Sequence, residues 1–216
     1  MYAAVVKVGG SLARLKKDML RLCASLSRLA QRYQMLIVPG GGAFADKVRE
    51  AYRRFRLSDD VAHWMALTAM NQFGFMLAEM VGVEAAERPS EDGKSIVLLP
   101  FRIMLEDDPL PHSWDATSDS VAAYIAWKFG IAKVVILTDV DGVFSSDPKR
   151  NPDARLLREV KASKLAGFKK ATSVDPLFPR LIGRYRLKAW VLNGKHPDRL
   201  EQVLLGGKPV GTRILS

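Results

Sequence analysis

Apolar residues follow two rhythms along this chain. Short unbroken runs at residues 3–8, Met35–Val38, 83–86, 96–99, Lys133–Thr138, Lys188–Leu192 and Gly211–Leu215 have the length and β-branched content of buried strands. Between them apolar residues recur every three or four positions. Leu12, Leu15, Met19, Leu22, Leu26, Leu29 and Tyr33 make one such stripe, with Arg and Lys in the intervals. Further helices are predicted from Phe44 to about Phe55, from an N-cap at Ser58 to about Val81, and from Ser118 or Asp119 to Phe129. Two more are expected over Pro176–Tyr185 and, with proline in the first turn, Pro197–Leu205. The order opens β-α-β-α-α, as a parallel sheet covered by helices does. From 101 to 116 the pattern fails. Acidic residues at 106–108, Pro109, Pro111, His112, Ser113 and Trp114 predict a surface loop able to close over a site. Asp139–Phe144 reads as a turn or hairpin, and Asp147 to Pro152 as loop. The fold class expected is α/β, a mainly parallel sheet between helix layers, with ligands at the carboxyl ends of the strands.

Length and charge narrow the classes. At 216 residues the chain suits one large domain or two lobes sharing a core. Its formal charge is +10, which raises nucleic acid as a partner. The basic residues, Arg49, Arg53, Arg54, Arg56, Lys161, Lys164, Lys169 and Lys170 among them, are scattered and not interleaved with aromatics as base stacking requires. They suit a solvated face whose field attracts anionic substrates, so no nucleic-acid partner is expected. No apolar run reaches the ~18 residues of a membrane span, and a strand at the N-terminus leaves no room for a signal peptide. The single cysteine, Cys23, cannot form an internal disulfide, which fits a cytoplasmic protein.

The candidate chemistry begins at Val5-Val6-Lys7-Val8-Gly9-Gly10-Ser11, a strand ending in a glycine pair. Backbone N–H groups at a helix start attract anions, and missing Cβ atoms let a phosphate approach. Lys7 can reach the same anion. A second turn, Pro39-Gly40-Gly41-Gly42, also opens a helix. Adjacent parallel strands would set both turns at one sheet edge, facing a shared anionic ligand. Neither turn fits the P-loop or the GxGxxG dinucleotide pattern. Either could instead serve only close packing.

Taken in order, Lys7-Val8-Gly9-Gly10-Ser11, Pro39-Gly40-Gly41-Gly42, Thr138-Asp139-Val140-Asp141-Gly142-Val143-Phe144 with Asp147-Pro148, Asn193-Gly194 and Gly211-Thr212-Arg213-Ile214 resemble the amino acid kinase family. The resemblance spans the whole chain. It implies a three-layer αβα sandwich and one domain over 1–216, with an acceptor half to about 115 and an ATP half from about 116. It further implies that Lys7 contacts the transferred phosphoryl group, oriented by Asp119, and that Gly9, Gly10 and Ser11 line the phosphates. Gly40, Gly41, Gly42, Thr117 and Ser118 would sit beside the acceptor. Thr138, Asp139, Asp141, Gly142, Phe144 and Asp147 would form the nucleotide turn. ATP with Mg²⁺ is the implied cofactor, a small anion the partner, and a homo-oligomer the assembly. The plain alternatives are a solvent-seeking strand-end lysine for Lys7, a helix cap for Asp119 and turn-shaping roles for Asp139 and Asp141.

The sequence also departs from the family. Many members carry a second catalytic lysine in a GGMxxK-like stretch before the last large helix; here the region reads Ser173-Val174-Asp175-Pro176-Leu177-Phe178-Pro179-Arg180. Arg180, Lys169 or Lys170 could supply the charge. Ser113-Trp114-Asp115 leading into Thr117-Ser118-Asp119-Ser120, the Ser173-Val174-Asp175 segment, and Val191–Gly194 with Pro197-Asp198-Arg199 resemble a short branch linked to methanofuran biosynthesis. That branch implies phosphorylation of an aminomethyl-furanyl-methyl phosphate to a diphosphate. A carboxylate or carbamate kinase and a non-catalytic nucleotide- or oxyanion-binding protein remain alternatives. For the cationic, aromatic acceptor, the helix face carrying Asp60, Trp64, Leu67 and Asn71, with His63 beside it, could provide a carboxylate and an aromatic wall; the same residues could equally be core. His63 and His112 alone carry no metal signature, so no protein metal site is expected.

Overall fold

The first strand, β1 (Ala4–Val8), is buried along its whole length. Side chains alternate across a strand, so Ala4, Val6 and Val8 enter one hydrophobic core while Val5 enters another. Every central strand repeats this split, which makes the protein a sheet between two helical layers. The computed structural model describes residues 1–146, 151, 153–168 and 173–216. After β1 comes a 3-10 turn, Gly10–Arg14, then α1 (Lys16–Ala30), β2 (Met35–Pro39), α2 (Gly42–Phe55) and α3 (Asp59–Val81). Next are β3 (Glu84–Ala86), β4 (Ile96–Leu98), α4 (Phe101–Asp107), α5 (Ser118–Lys128) and β5 (Lys133–Thr138). The chain closes with β6 (Glu159–Lys161), α6 (Ala162–Ala166), α7 (Phe178–Tyr185), β7 (Lys188–Asn193), α8 (Asp198–Leu204) and β8 (Thr212–Leu215).

Among the described residues, eight strands lie in the order β3-β4-β2-β1-β5-β7-β8-β6. All neighbours pair parallel except β7 with β8. One core joins the sheet to α4, α5, α6 and α7 through Ile103, Met104, Val121–Ala126, Leu165, Leu181 and Ile182. The other holds α1, the second half of α3, and α8 through Met19, Leu22, Leu26, Phe73, Leu77, Leu200 and Val203. The expected αβα sandwich is therefore the observed one. Ser58 caps α3, its hydroxyl accepting from Val61 N at 3.3 Å, and Gly82 ends the helix with φ of 75°.

The structure departs from the sequence reading in three places. Residues 101–107 form α4 rather than loop, because the side-chain oxygen of Asn71, a residue on α3, accepts from Phe101 N (3.1 Å) and caps the helix from outside. Its two prolines lie beyond the stop at Asp108, whose φ is 42°. The first glycine turn leads into a 3-10 turn that breaks at Leu15 before α1 starts, so the long stripe begins one element late. β6 and α6 were not expected: β6 buries one of its three residues, too few to show a period. Among the described residues, no helix is long and apolar enough to cross a membrane. Cys23 is buried in the core under α1, and burial pushes its thiol up to about 11, which makes it inert.

Candidate active site

Lys7 shares the face of β1 that carries Val5, because the two are separated by one pleat. That face meets α5, and the Lys7 ammonium lies 2.7 Å from Asp119 Oδ1 with both side chains less than a tenth exposed. Asp119 Oδ1 is buried, and Lys7 is its close polar neighbour. An ammonium has three N–H donors, so the pairing with Asp119 fixes its position and leaves donors for a second anion.

Asp119 is held from behind by Asp175, a residue of the Ser173-Val174-Asp175 segment to which the sequence assigns no role. Asp119 Oδ2 accepts from the backbone N–H of Asp175 at 3.1 Å. The Asp175 carboxylate in turn accepts from Thr117 N and Oγ1 (both 2.9 Å), Ser120 N (3.0 Å), Ser120 Oγ (2.6 Å) and Phe178 N (2.8 Å). Thr117 makes no side-chain cap at the start of α5; Asp175 performs that task from the far side of the chain. Burial and the neighbouring Asp119 charge push the Asp175 carboxyl above its ordinary value, and the bonds from Ser120 and Thr117 oppose the rise. Thus the stretch where the family's second lysine is missing is tied to α5 by a carboxylate. Arg180 is exposed. Lys169 and Lys170, together with Asp147, lie outside the described residues.

The two glycine turns touch. β1 and β2 pair in register up to Val8 and Pro39, which brings Gly10 onto Gly42. A Cβ on Gly10 would stand 2.2 Å from Gly42 N, and Gly42 itself has φ of 54°. Only glycine fits such a contact of backbone with backbone. Gly10→Ala is expected to cost several kcal/mol, at or above the ~1–3 kcal/mol typical of overpacking, seen as a lowered urea midpoint with loss of activity; a wild-type midpoint would show that the turns can part. Within the turns, Gly9 N donates to Leu137 O and Gly40 N to Val8 O (both 2.8 Å). Those two glycines serve the sheet, so the turns' remaining N–H groups are the ones available to a phosphate.

The predicted nucleotide turn stands at the end of β5. Asp139 Oδ1 accepts from Ser11 Oγ and from Thr138 Oγ1, each at 3.3 Å, which links this turn to the first glycine turn. Asp141 lies 2.5 Å from Arg199 and accepts from Asn193 Nδ2 at 3.2 Å. Burial alone would raise its carboxyl; the bonds from Arg199 and Asn193 outweigh it and hold the group below its ordinary range. Gly142 packs on Thr212, while Phe144 is half-buried and bridges to Leu156.

Beside the glycine turns opens a cavity of about 290 Å³. Of the expected site residues it is lined by Gly10, Ser11, Gly41, Gly42, Thr117 and Ser118. Its charged wall was not foreseen. Arg14 pairs with Asp46 at 2.7 Å, and Arg49 pairs with the same carboxylate at 3.2 Å while its guanidinium lies 4.9 Å over the Trp114 ring. Tyr52 stands edge-on to Trp114 and donates to Asp59 at 2.7 Å. The signal was present in part: residues 42, 45, 46 and 49 share one face of α2, continuing the line of the second glycine turn.

Of the α3 residues expected beside the acceptor, His63 and Leu67 line the cavity while Asp60, Trp64 and Asn71 do not. Asp59, Ala62, Ala66 and Met70 line it as well. Asp60 is turned to His112, Trp64 packs against the α5-side core, and Asn71 caps α4. His63 and His112 stack with ring centroids 4.2 Å apart. Burial and the adjacent His112 hold His63 below the usual histidine range, whereas bonds to Asp60 and Asp108 lift His112.

Comparison with known proteins places the chain in a family. The profile described as the amino acid kinase family matches residues 3–85 and 78–182. The [5-(aminomethyl)furan-3-yl]methyl phosphate kinase of Methanocaldococcus jannaschii is 34% identical over 217 residues, covering 98% of this chain and 97% of that protein. A uridylate kinase of Methanococcoides burtonii is 29% identical over 233 residues, covering 98% of each. Among solved structures, uridylate kinase from Archaeoglobus fulgidus superposes with a TM-score of 0.75 at 22% identity, over 98% of this chain and 99% of that one. The fold and the relatives define a phosphotransferase that uses ATP as phosphoryl donor. The chain belongs to the amino acid kinase family.

Proposed function

We propose that this kinase transfers the γ-phosphoryl group of ATP to a small phosphate monoester and releases a diphosphate, with [5-(aminomethyl)furan-3-yl]methyl phosphate of methanofuran-type cofactor synthesis as acceptor. The observation that carries the reading is the cavity wall: two guanidinium groups that share Asp46, the exposed carboxylate of Asp59 and an indole surround one small space, and an incoming phosphate would compete with Asp46 for the two arginines. The acceptor has the complementary parts. Its phosphate suits Arg14 and Arg49, its ammonium suits Asp59, and its furan ring suits Trp114. A nucleoside monophosphate has no cation to offer Asp59. The full-length likeness to the Methanocaldococcus jannaschii enzyme supports the same acceptor.

In this reading residues to about 115 hold most of the acceptor and those from about 116 most of ATP, with the glycine turns, Thr117 and Ser118 where the two meet. The touching glycine turns fit a triphosphate, because the close backbone leaves no side chain in a phosphate's way. Mg²⁺ carried on ATP adds positive charge to the phosphates. Phosphoryl transfer asks the protein for in-line positioning and for cations at the equatorial oxygens. Lys7, fixed by Asp119, is placed to stabilise that charge, and Ser11 with the N–H groups of the turns to orient the phosphates. The attacking group is already an anion, so no general base is needed.

The test is turnover with ATP and Mg²⁺ on the furanyl phosphate, on UMP, and on a panel of carboxylates. A diphosphate from the furanyl phosphate, at a kcat/KM about tenfold or more above that for UMP, is expected; tenfold corresponds to about 1.4 kcal/mol of discrimination. Preference for UMP, or a product trapped by hydroxylamine as an acyl phosphate, would replace the acceptor. ATP binding without turnover on any acceptor would leave a binding protein. Asp59→Asn is expected to raise KM for the furanyl phosphate by about tenfold, the size of one charge-assisted hydrogen bond, with kcat and the KM for ATP unchanged. The effect should vanish for an acceptor analogue lacking the aminomethyl group; persistence there would free Asp59 of the role.

A further inference from the structure

On the rim of the acceptor cavity, α3 and the segment after α4 bring His63, His112 and Asp108 together. One ligand atom from each lies within 4.8 Å of the others. His112 Nε2 is 2.9 Å from Asp108 Oδ1, and His112 Nδ1 is 2.6 Å from Asp60 Oδ1. We propose that His63, His112 and Asp108 bind one divalent ion of the zinc class, with Asp60 orienting His112 from behind.

The chemistry of the donor set points to such an ion. Two imidazoles and one carboxylate suit zinc, cobalt(II) or nickel(II) rather than magnesium or calcium, which prefer oxygen. Metal-bound histidines commonly give their second ring N–H to a carboxylate, which fixes the tautomer and aims the other nitrogen at the metal. Asp60 stands where that carboxylate belongs. The ion takes the place of the proton between His112 Nε2 and Asp108, and that proton passes to solvent. Zinc–ligand distances of about 2.0–2.2 Å set neighbouring ligand atoms about 3.3–3.5 Å apart in a tetrahedron. The ligand atoms start within 4.8 Å of one another, and closing on an ion turns the His63 ring out of its stack with His112 so that the two ring nitrogens converge. Asp60 and Asp108 together offset its two positive charges. Three protein ligands leave a fourth position open, and of the three His63 lines the cavity. An ion here would lock the segment carrying Ser113 and Trp114 onto α3. The ion site is the same whichever acceptor the enzyme uses.

The experiment uses the untagged chain, stripped with chelator and titrated with Zn²⁺ by calorimetry and with Co²⁺ by visible absorption. One ion per chain is expected, with a Kd of about 10 μM or tighter and cobalt bands of low coordination number. His63→Ala and His112→Ala should each weaken binding about 100-fold or more, and Asp60→Asn about 10–100-fold. His196→Ala, at the third histidine, should leave it unchanged. A readout on the unaltered chain guards against misfolded variants. The Trp64 ring lies 4.9 Å from both histidine rings, so bound Co²⁺ should quench the part of the emission that Trp64→Phe removes. Absence of a one-to-one complex, unchanged binding in the two histidine variants, or unquenched Trp64 emission at saturating Co²⁺ would each overturn the site.

Discussion

Lys7→Met is expected to lower kcat by about 10²–10³-fold or more, the loss seen when one preorganised charge donor is taken from a transition state. It should also destabilise the protein by about 3–5 kcal/mol, because Asp119 is left as an unpaired buried charge. The two effects have different origins and can be separated. The double variant Lys7→Met/Asp119→Leu removes the whole ion pair, and replacing a buried pair by apolar groups is often neutral or stabilising. It should therefore recover most of the lost stability while remaining inactive. Urea midpoints and initial rates measured on the same preparations check both halves. If the single variant keeps kcat within about threefold of wild type, Lys7 does not stabilise the transferred group and its burial is structural. The burden on Lys7 is large here because Arg180 is exposed and the usual second lysine is absent from residues 173–180.

The elements that follow from local chemistry were readable in advance. β1, β2, β5 and β7 are unbroken apolar runs that end near a glycine, an aspartate or an asparagine, and their bounds shift by no more than a residue or two between reading and structure. The Ser58 cap and the helical spacing to about Val81 made α3 readable in the same way, and the structure ends it at Gly82. What depends on another part of the chain was not readable. α4 needs Asn71 from α3. The cavity wall needs Arg14, Asp46 and Arg49 to converge from the first turn and α2, and each alone looks like a solvated charge. The α3 face was only partly right because apolar residues follow one another around the helix at Trp64, Met65, Ala66 and Leu67, so the stripe has no single sharp direction. His63 and His112 are separated by 49 positions and by a helix the pattern did not predict, so spacing could not reveal that they stack.

Asp175 is the same kind of residue with a larger consequence. In Asp175→Ala, the buried N–H groups of Ser120 and Phe178 and the half-buried N–H of Thr117 lose their acceptor. Each unsatisfied buried donor costs about 1–3 kcal/mol, so a total loss of about 3–5 kcal/mol is expected. Catalysis should suffer too, since the Asp175 backbone N–H holds Asp119 Oδ2, and Asp119 holds Lys7. Asp175→Asn keeps one acceptor oxygen, so its stability should fall between alanine and wild type. The asparagine variant also gives a readout that packing alone would not. Burial and Asp119 raise the Asp175 carboxyl in the folded protein. The folded state therefore binds more protons than the unfolded one between the ordinary aspartate pKa and the raised value. The slope of unfolding free energy against pH is negative across that window. Stability from this group is greatest at acid pH and declines as pH rises through the folded value. Asparagine does not titrate, so the wild-type advantage over Asp175→Asn should be largest near pH 4 and should shrink toward pH 7. A pH-independent gap between the two urea midpoints would mean that the carboxyl titrates alike in both states. A kcat for Asp175→Asn equal to wild type would show that the clasp shapes the fold without positioning Asp119.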